Sequence, residues 1–197
     1  MSESIIFFDV DTQVDFMLPS GSLYVKGAKN IIPNLRNLMT YARERHIPVL
    51  SSADAHPPDD PSFAQWPPHC VVGTPGQKRI PETLLPNPYV VPNRPGAFTP
   101  PDPWPAQVIL EKQEYDASTN LNFDAILQAL GRPQIILFGV ATDYCVRGTA
   151  LALLRREYSV EIVTDAIKPI SEEEGHKAIA EMTAAGARLV KTIEVCT

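Results

Sequence analysis

Cys145 is the side chain with the clearest chemical potential. It follows the turn Ala141-Thr142-Asp143-Tyr144 after the apolar run Gln134–Val140, and it opens the helical pattern CVRGTALALLRR. A thiol at that junction sits near a helix N-terminus at a strand's carboxyl end. Unpaired N–H groups and the macrodipole favour thiolate there. The same N–H groups can hold an oxyanion. The plain alternative is a buried structural cysteine, the commoner fate of a lone Cys.

A thiol nucleophile wants a base, and the chain has 4 histidines. His46, between a helix end and a strand, reads as a C-terminal cap or packing residue. His176 falls on a solvated helix face. His56 and His69 belong to a proline-rich stretch that they share with Asp54, in the segment SSADAH. Asp-x-His followed by a further histidine has the donor set of a metal site. Three loop residues making ordinary hydrogen bonds is the alternative, and the spacing alone leaves both open.

If both histidines bind metal, the base must be a carboxylate. The first apolar run ends in Asp9-Val10-Asp11, and residues at parallel strand ends face a crevice, so either Asp can serve. Lys112, just past the run Gln107–Glu111, can put positive charge beside the thiol, although a solvated loop lysine is the default. Asp11, Lys112 and Cys145 thus stand at three different strand ends. A rival starts from FFDVDTQ, which is similar to the Asp-x-Asp-x-Thr/Val signature of haloacid-dehalogenase-type phosphatases. Asp9 would then be the nucleophile, working with Mg²⁺. Gln13 departs from that signature, and the reading leaves Cys145, His56 and His69 without a role.

These residues need elements to position them. Short apolar runs at Ser4–Val10, Ile47–Ser52, Gln107–Glu111, Gln134–Val140, Ser159–Thr164 and Arg188–Ile193 suit strands buried on both faces. Helical patterns cover Ala28–His46, Phe123–Leu130, Tyr144–Arg156 and Ser171–Ala185. The last opens Ser-Glu-Glu-Glu, a capping-box pattern. The alternation predicts a single-domain, three-layer α/β/α fold. Its sheet is mostly parallel, doubly wound and about six-stranded, with the site at the carboxyl strand ends. Fifteen of the 20 prolines fall between Pro57 and Pro105, so residues 53–106 read as a long loop. Phe63, Trp66, Tyr89, Phe98 and Trp104 give it something to bury, which suits an ordered binding element. A linker between two domains is the alternative.

The 197 residues suffice for one domain with a sizeable core. Hydrophobic residues at 44% and charged residues at 20% exclude a disordered chain. The net charge of −6, with no basic block, argues against nucleic acid as a partner. The opening MSESIIFFDVD reads as neither a signal peptide nor a membrane span, and no later run is long enough to cross a bilayer. Three sparse cysteines, Cys70, Cys145 and Cys196, suit free thiols in a reducing cytoplasm.

Four segments, taken together, resemble the isochorismatase-like cysteine hydrolases, and among them the nicotinamidases. They are VDTQVDF (10–16), SADAH (52–56), WPPHCVVGTPG (66–76) and GVATDYCVRGTAL (139–151). Their order spans essentially the whole chain. The resemblance implies a catalytic triad of Asp11, Lys112 and Cys145, with Asp11 rather than Asp9 as the carboxylate. It implies a cis Val140–Ala141 bond and an oxyanion hole from the N–H groups of Ala141 and Cys145. It also implies one divalent ion (zinc, iron or manganese) on Asp54, His56 and His69, and a flat ring between Phe16 and Trp66. The expected reaction is hydrolysis of a small carboxamide, nicotinamide first, to acid and ammonia through a thioester. That would place the chain in pyridine-nucleotide salvage.

One position departs from the family. Nicotinamidases carry a further His or Glu ligand where this chain has Ser62, a poor substitute for imidazole or carboxylate. Ser62 binding through water, or Asp59 or Asp60 reaching in, are the ways to complete the site, and a weakly held ion is expected. Two other readings follow. One is a metal-poor relative acting on another small amide or carbamoyl compound; the other is a non-catalytic binding protein on the same fold. The expected partner is a small-molecule carboxamide, with self-association left open.

Overall fold

The computed structural model describes residues 4–197; residues 1–3 of the opening stretch read above lie outside them. Seven strands form one sheet: β1 Ile5–Val10, β2 Val49–Asp54, β3 Tyr89–Val91, β4 Gln107–Lys112, β5 Gln134–Val140, β6 Val160–Lys168 and β7 Arg188–Val190. Their order is β3-β4-β2-β1-β5-β6-β7, and every pair is parallel. Six strands were predicted. The seventh, β3, is a three-residue edge strand between Pro88 and Pro92, too short for a periodic signal.

The central strands are apolar along their whole length because both faces are covered. From β1, Ile6, Phe8 and Val10 join the core under α3 (Phe123–Ala129), α4 (Arg147–Arg155) and α5 (Glu172–Ala184). Phe7 points the other way, to the core shared with α1 (Val14–Met17) and α2 (Ile32–Glu44). The period of two along a strand therefore builds two cores and three layers. Among the described residues no helix is long and apolar enough to cross a membrane.

Several boundaries shift for local reasons. The predicted Ala28–His46 helix begins as a 3₁₀ turn, Ala28–Ile31, before α2. It ends in a left-handed His46 (φ 56°), with Ile47 N–H donating to Ala42 O at 2.9 Å. That geometry is a Schellman cap, so His46 is the C-terminal cap the sequence suggested. The tail after β7 turns into a short helix, α6 (Thr192–Val195), which truncates the predicted strand. At the start of α5, Ser171 Oγ accepts from Glu174 N as a capping box requires. The reciprocal bond goes elsewhere: Ser171 N donates to Asp143 Oδ2 at 2.9 Å, tying this helix to the Cys145 turn.

Gly139 marks where β5 crosses closest to β1. Its φ is 119°, and an added Cβ would lie 2.1 Å from Val10 O. Gly139→Ala combines a forbidden φ with a backbone clash, and is expected to cost about 2–4 kcal/mol. Urea unfolding of the variant against the parent checks this.

Candidate active site

Four adjacent strands deliver one chemical group each to the carboxyl edge of the sheet. In spatial order β4, β2, β1 and β5, these are Lys112, Asp54, Asp11 and Cys145. The register fixes their level: Asp54 pairs with Lys112, and Val10 lies between Ser52 and Gly139. Asp11 then leaves the strand in a left-handed conformation (φ 48°), a conformation common at functional sites.

The Lys112 ammonium is fully buried and is the hub. It lies 2.8 Å from Asp11 Oδ2, contacts Asp54 Oδ1, and stands 3.6 Å from Cys145 Sγ. Ser52 Oγ donates to Asp11 Oδ1 at 2.6 Å. A carboxylate oxygen of Asp11, one of Asp54 and the Cys145 sulfur all lie within 4.8 Å of one another. Burial raises the Asp11 carboxyl above its ordinary range, and Lys112 offsets this only in part. Burial likewise pushes the Cys145 thiol well up, against the pull of Lys112. Although burial opposes it, the two carboxylates hold Lys112 firmly protonated. These directions suit a thiol whose proton Asp11 is placed to take. Thr142–Val146 is a π turn that runs without a break into α4, so Cys145 lies in the opening turns of one continuous helical segment that starts after Ala141. The Val140–Ala141 bond is cis.

The second candidate pair resolves differently. Asp9 is fully buried, accepts from Thr12 Oγ1 at 3.0 Å and pairs with Arg79. It lines neither cavity beside Cys145. The phosphatase reading fails on this placement. Gln13, the residue that broke that signature, has a backbone-like role here. Its amide receives Asp54 N at 2.7 Å and donates to Asp54 O and Gln77 O, both at 2.8 Å. It thus holds the Asp54 peptide to the loop that follows His69.

Asp54, His56 and His69 offer three ligand atoms within 4.8 Å of one another, all buried. His56 Nε2 and His69 Nε2 lie 3.7 and 3.9 Å from Asp54 Oδ2. Each imidazole is oriented from behind: His56 Nδ1 meets Asp60 Oδ2 at 2.9 Å, and His69 Nδ1 meets Pro67 O at 2.8 Å. Backing contacts of this kind set the tautomer of a metal-binding histidine. The charges also fit. Asp11 and Asp54 bring two buried carboxylates against the single Lys112, an imbalance a cation beside Asp54 would offset. Asp60 is therefore committed to His56 and to Ser62 N, at 2.8 Å, rather than filling the missing ligand position. Although partial burial opposes it, hydrogen bonds from Ser62 and His56 hold the Asp60 carboxyl at about 2. Asp59 is exposed. Ser62 Oγ is buried without a hydrogen-bond partner and lines the cavity beside His56 and His69.

The pocket at Cys145 is walled by Phe16, Trp66, Tyr115, Tyr144 and Ile170, with Asp54 and His69 also on its lining. Phe16 and Trp66 were expected there; Tyr115, Tyr144 and Ile170 were not. Ile170 is held by Asp143, whose Oδ1 accepts its N–H at 3.0 Å. Phe63 packs 5.5 Å from His56 and 5.7 Å from His69, ring centre to ring centre. Nothing in the spacing of these residues marks them, because they come from separate loops. Asp60 alone carried a local signal, standing four residues after His56.

A buried thiol set between carboxylate and ammonium, at the carboxyl edge of a parallel three-layer sheet, is an arrangement suited to nucleophilic hydrolysis. The isochorismatase domain matches residues 6–194, and the chain belongs to that family. It is 30% identical to the nicotinamidase/pyrazinamidase of Mycobacterium tuberculosis, over 92% of this chain and 95% of the relative. It is 31% identical to a nicotinamidase of Escherichia coli, over 91% of both. Its fold is similar to the pyrazinamidase of Pyrococcus horikoshii in complex with zinc, with a TM-score of 0.81 and 29% identity, covering 95% of this chain and 99% of the other.

Removing the group behind a metal-binding histidine typically costs 10–100-fold in affinity. Asp60→Ala is expected to weaken Zn²⁺ binding by about that factor while leaving the fold intact. Calorimetric titration with Zn²⁺ checks the affinity, and circular dichroism checks the fold.

Proposed function

We propose that this chain hydrolyses nicotinamide to nicotinate and ammonia through a thioester on Cys145. The observation that carries the reading is the buried Asp11–Lys112–Cys145 cluster opening onto an aromatic-walled pocket that also reaches Asp54 and His69. Relatives named nicotinamidase match over nearly the full chain and support the choice of substrate.

In this mechanism Asp11 takes the proton from the Cys145 thiol as the sulfur attacks the carboxamide carbon. Lys112 stays protonated throughout, steadying the charge on Asp11 and on the sulfur. The N–H groups of Ala141 and Cys145 receive the oxyanion. Asp11 returns its proton to the amide nitrogen, the carbon–nitrogen bond breaks and ammonia leaves. Water, deprotonated by Asp11, then attacks the thioester; the acid departs and the Cys145 thiol is restored. Phe16 and Trp66 flank the ring and fix its plane, so that the carboxamide meets the sulfur in a productive orientation.

Asp54, His56 and His69 would hold a divalent ion: zinc, as in the Pyrococcus structure, or iron or manganese. Such an ion supplies an open coordination position for a ring nitrogen. Ser62 would face it with a neutral hydroxyl, which predicts a modest affinity. That same feature favours, as a second reading, a metal-poor relative acting on another small amide.

Ammonia release from nicotinamide, with and without added Zn²⁺, Fe²⁺ or Mn²⁺, tests the assignment. No release under any condition, against release from a carbamoyl substrate, would transfer it to the second reading. Cys145→Ala and Asp11→Asn should each lower turnover by at least about a thousandfold with folding preserved. Asp9→Asn should retain turnover in whatever fraction folds, its cost falling on stability through Arg79. Chelation should lower nicotinamide turnover yet leave alkylation of Cys145 by iodoacetamide unchanged.

A further inference from the structure

Two cavities meet at the candidate site, and Asp54, Trp66, His69 and Tyr115 form the wall they share. The inner pocket touches Cys145 and has room for only about 40 Å³, the space of a few water molecules. The outer cavity, about 540 Å³, opens on the other side and is lined by His56, Ser62, Gln65, Gln113 and Glu114 among others. Trp66 and Tyr115 are the aromatic members of the shared wall, and Tyr144 backs them from the inner pocket. Trp66 Nε1 donates to Tyr115 Oη at 2.9 Å. The Tyr115 ring lies 5.2 Å from the Tyr144 ring, and Trp66 meets the same ring edge-on at 5.4 Å. The three therefore form a closed triangle.

Of the three, Tyr115 is the one held least by the rest of the protein. It is 44% exposed, in the turn that follows Lys112. Trp66 belongs to the loop that also carries His69, and Tyr144 sits in the turn that presents Cys145, so both are tied to the chemistry. A pyridine carboxamide needs more room than the inner pocket offers, so a wall must yield as the substrate arrives. A single hydrogen bond between partly exposed groups costs about 0.5–1.5 kcal/mol to open, so the Tyr115 side is the wall that yields most readily.

We propose that Tyr115 is a specificity-determining residue: joined to Trp66 and leaning on Tyr144, it separates the inner pocket from the outer cavity and sets the size of ring that reaches Cys145. The inference rests on the amidase reading for its substrate, but not for its geometry. Removing the side chain merges the two spaces in the direction of Gln113 and Glu114. Removing only the hydroxyl leaves the ring against Tyr144 and the boundary in place.

The test compares nicotinamide with quinoline-3-carboxamide, which adds one fused ring. In Tyr115→Ala, kcat/KM for the larger amide relative to nicotinamide should rise by about tenfold or more, the scale at which a pocket discriminates by size. In Tyr115→Phe the ratio should stay within about threefold of the parent, because the ring remains. A second readout needs no turnover. Mass spectrometry of the Cys145 peptide gives its labelling rate by iodoacetamide and by the bulky N-(1-pyrenyl)maleimide. Tyr115→Ala should speed the bulky reagent selectively. If the parent hydrolyses neither amide, the amidase reading fails while the labelling ratio still decides the role of Tyr115. An unchanged labelling ratio in Tyr115→Ala, or an unchanged kcat/KM ratio where both amides turn over, overturns the proposal.

Discussion

The site depends on one buried ammonium. Lys112 has no exposed surface and lies among Asp11, Asp54 and Cys145. An isolated charge in that position would lose several kcal/mol of hydration with nothing in return. Two carboxylates make its burial tolerable, and its presence makes theirs tolerable in turn. The same ion pair joins the two halves of the site. Asp11 turns one oxygen to Lys112 and stands by the thiol, whereas Asp54 turns one oxygen to Lys112 and the other to His56 and His69. The candidate acid–base group and the candidate ion ligands therefore share one electrostatic network, and a change at either end is felt at the other.

Holding that network requires strand ends at one level. A parallel sheet provides this, since every strand runs the same way and ends on the same edge. The close approach of β5 to β1 at Gly139 brings the Cys145 turn down onto Asp11. Asp143 then ties that turn to the backbone of Ile170 and Ser171, so the sulfur, a pocket wall and the start of α5 move as one unit.

The proline-rich stretch works as the counterpart to the sheet. Its prolines forgo backbone donors, so side chains from the sheet edge share the anchoring with a few backbone bonds. Asp15 accepts from Cys70 N at 2.7 Å and from Ser22 N at 3.0 Å, and Gly76 passes so close that an added Cβ would lie 2.1 Å from Asp15 Oδ2. Gln13 bridges Asp54 and Gln77, and Arg79 reaches back to Asp9, Thr12 and Ser52. These polar side chains supplement a short stretch of backbone pairing, in which Val14 N donates to Lys78 O at 2.8 Å and Ile80 N to Thr12 O at 3.0 Å.

Much of this was legible in the residues alone. Continuous apolar runs exist because both sheet faces are covered, so strands β1, β2, β4, β5, β6 and β7 and the four main helices showed in the pattern. Asp11, Lys112 and Cys145 were legible as strand-end groups, since parallel topology sends all such ends to one edge. Asp54, His56 and His69 were legible as a donor set. What stayed hidden depends on distances across the chain. Strand β3 is three residues between prolines and exists only because the edge of β4 is there to pair with it. Arg79, seventy residues away, claims Asp9 in the interior, a pairing that no local spacing shows. A helix N-terminus favours thiolate, whereas burial raises the Cys145 thiol, because the cost of desolvating charge is set by everything packed around it. The aromatic cluster of Trp66, Tyr115 and Tyr144 joins three separate loops. The sequence by itself determined which groups are present and which edge they share; the tertiary structure decided which are buried, which are paired and how much room is left beside them, because desolvation and packing are properties of the assembled neighbourhood and not of the chain's order.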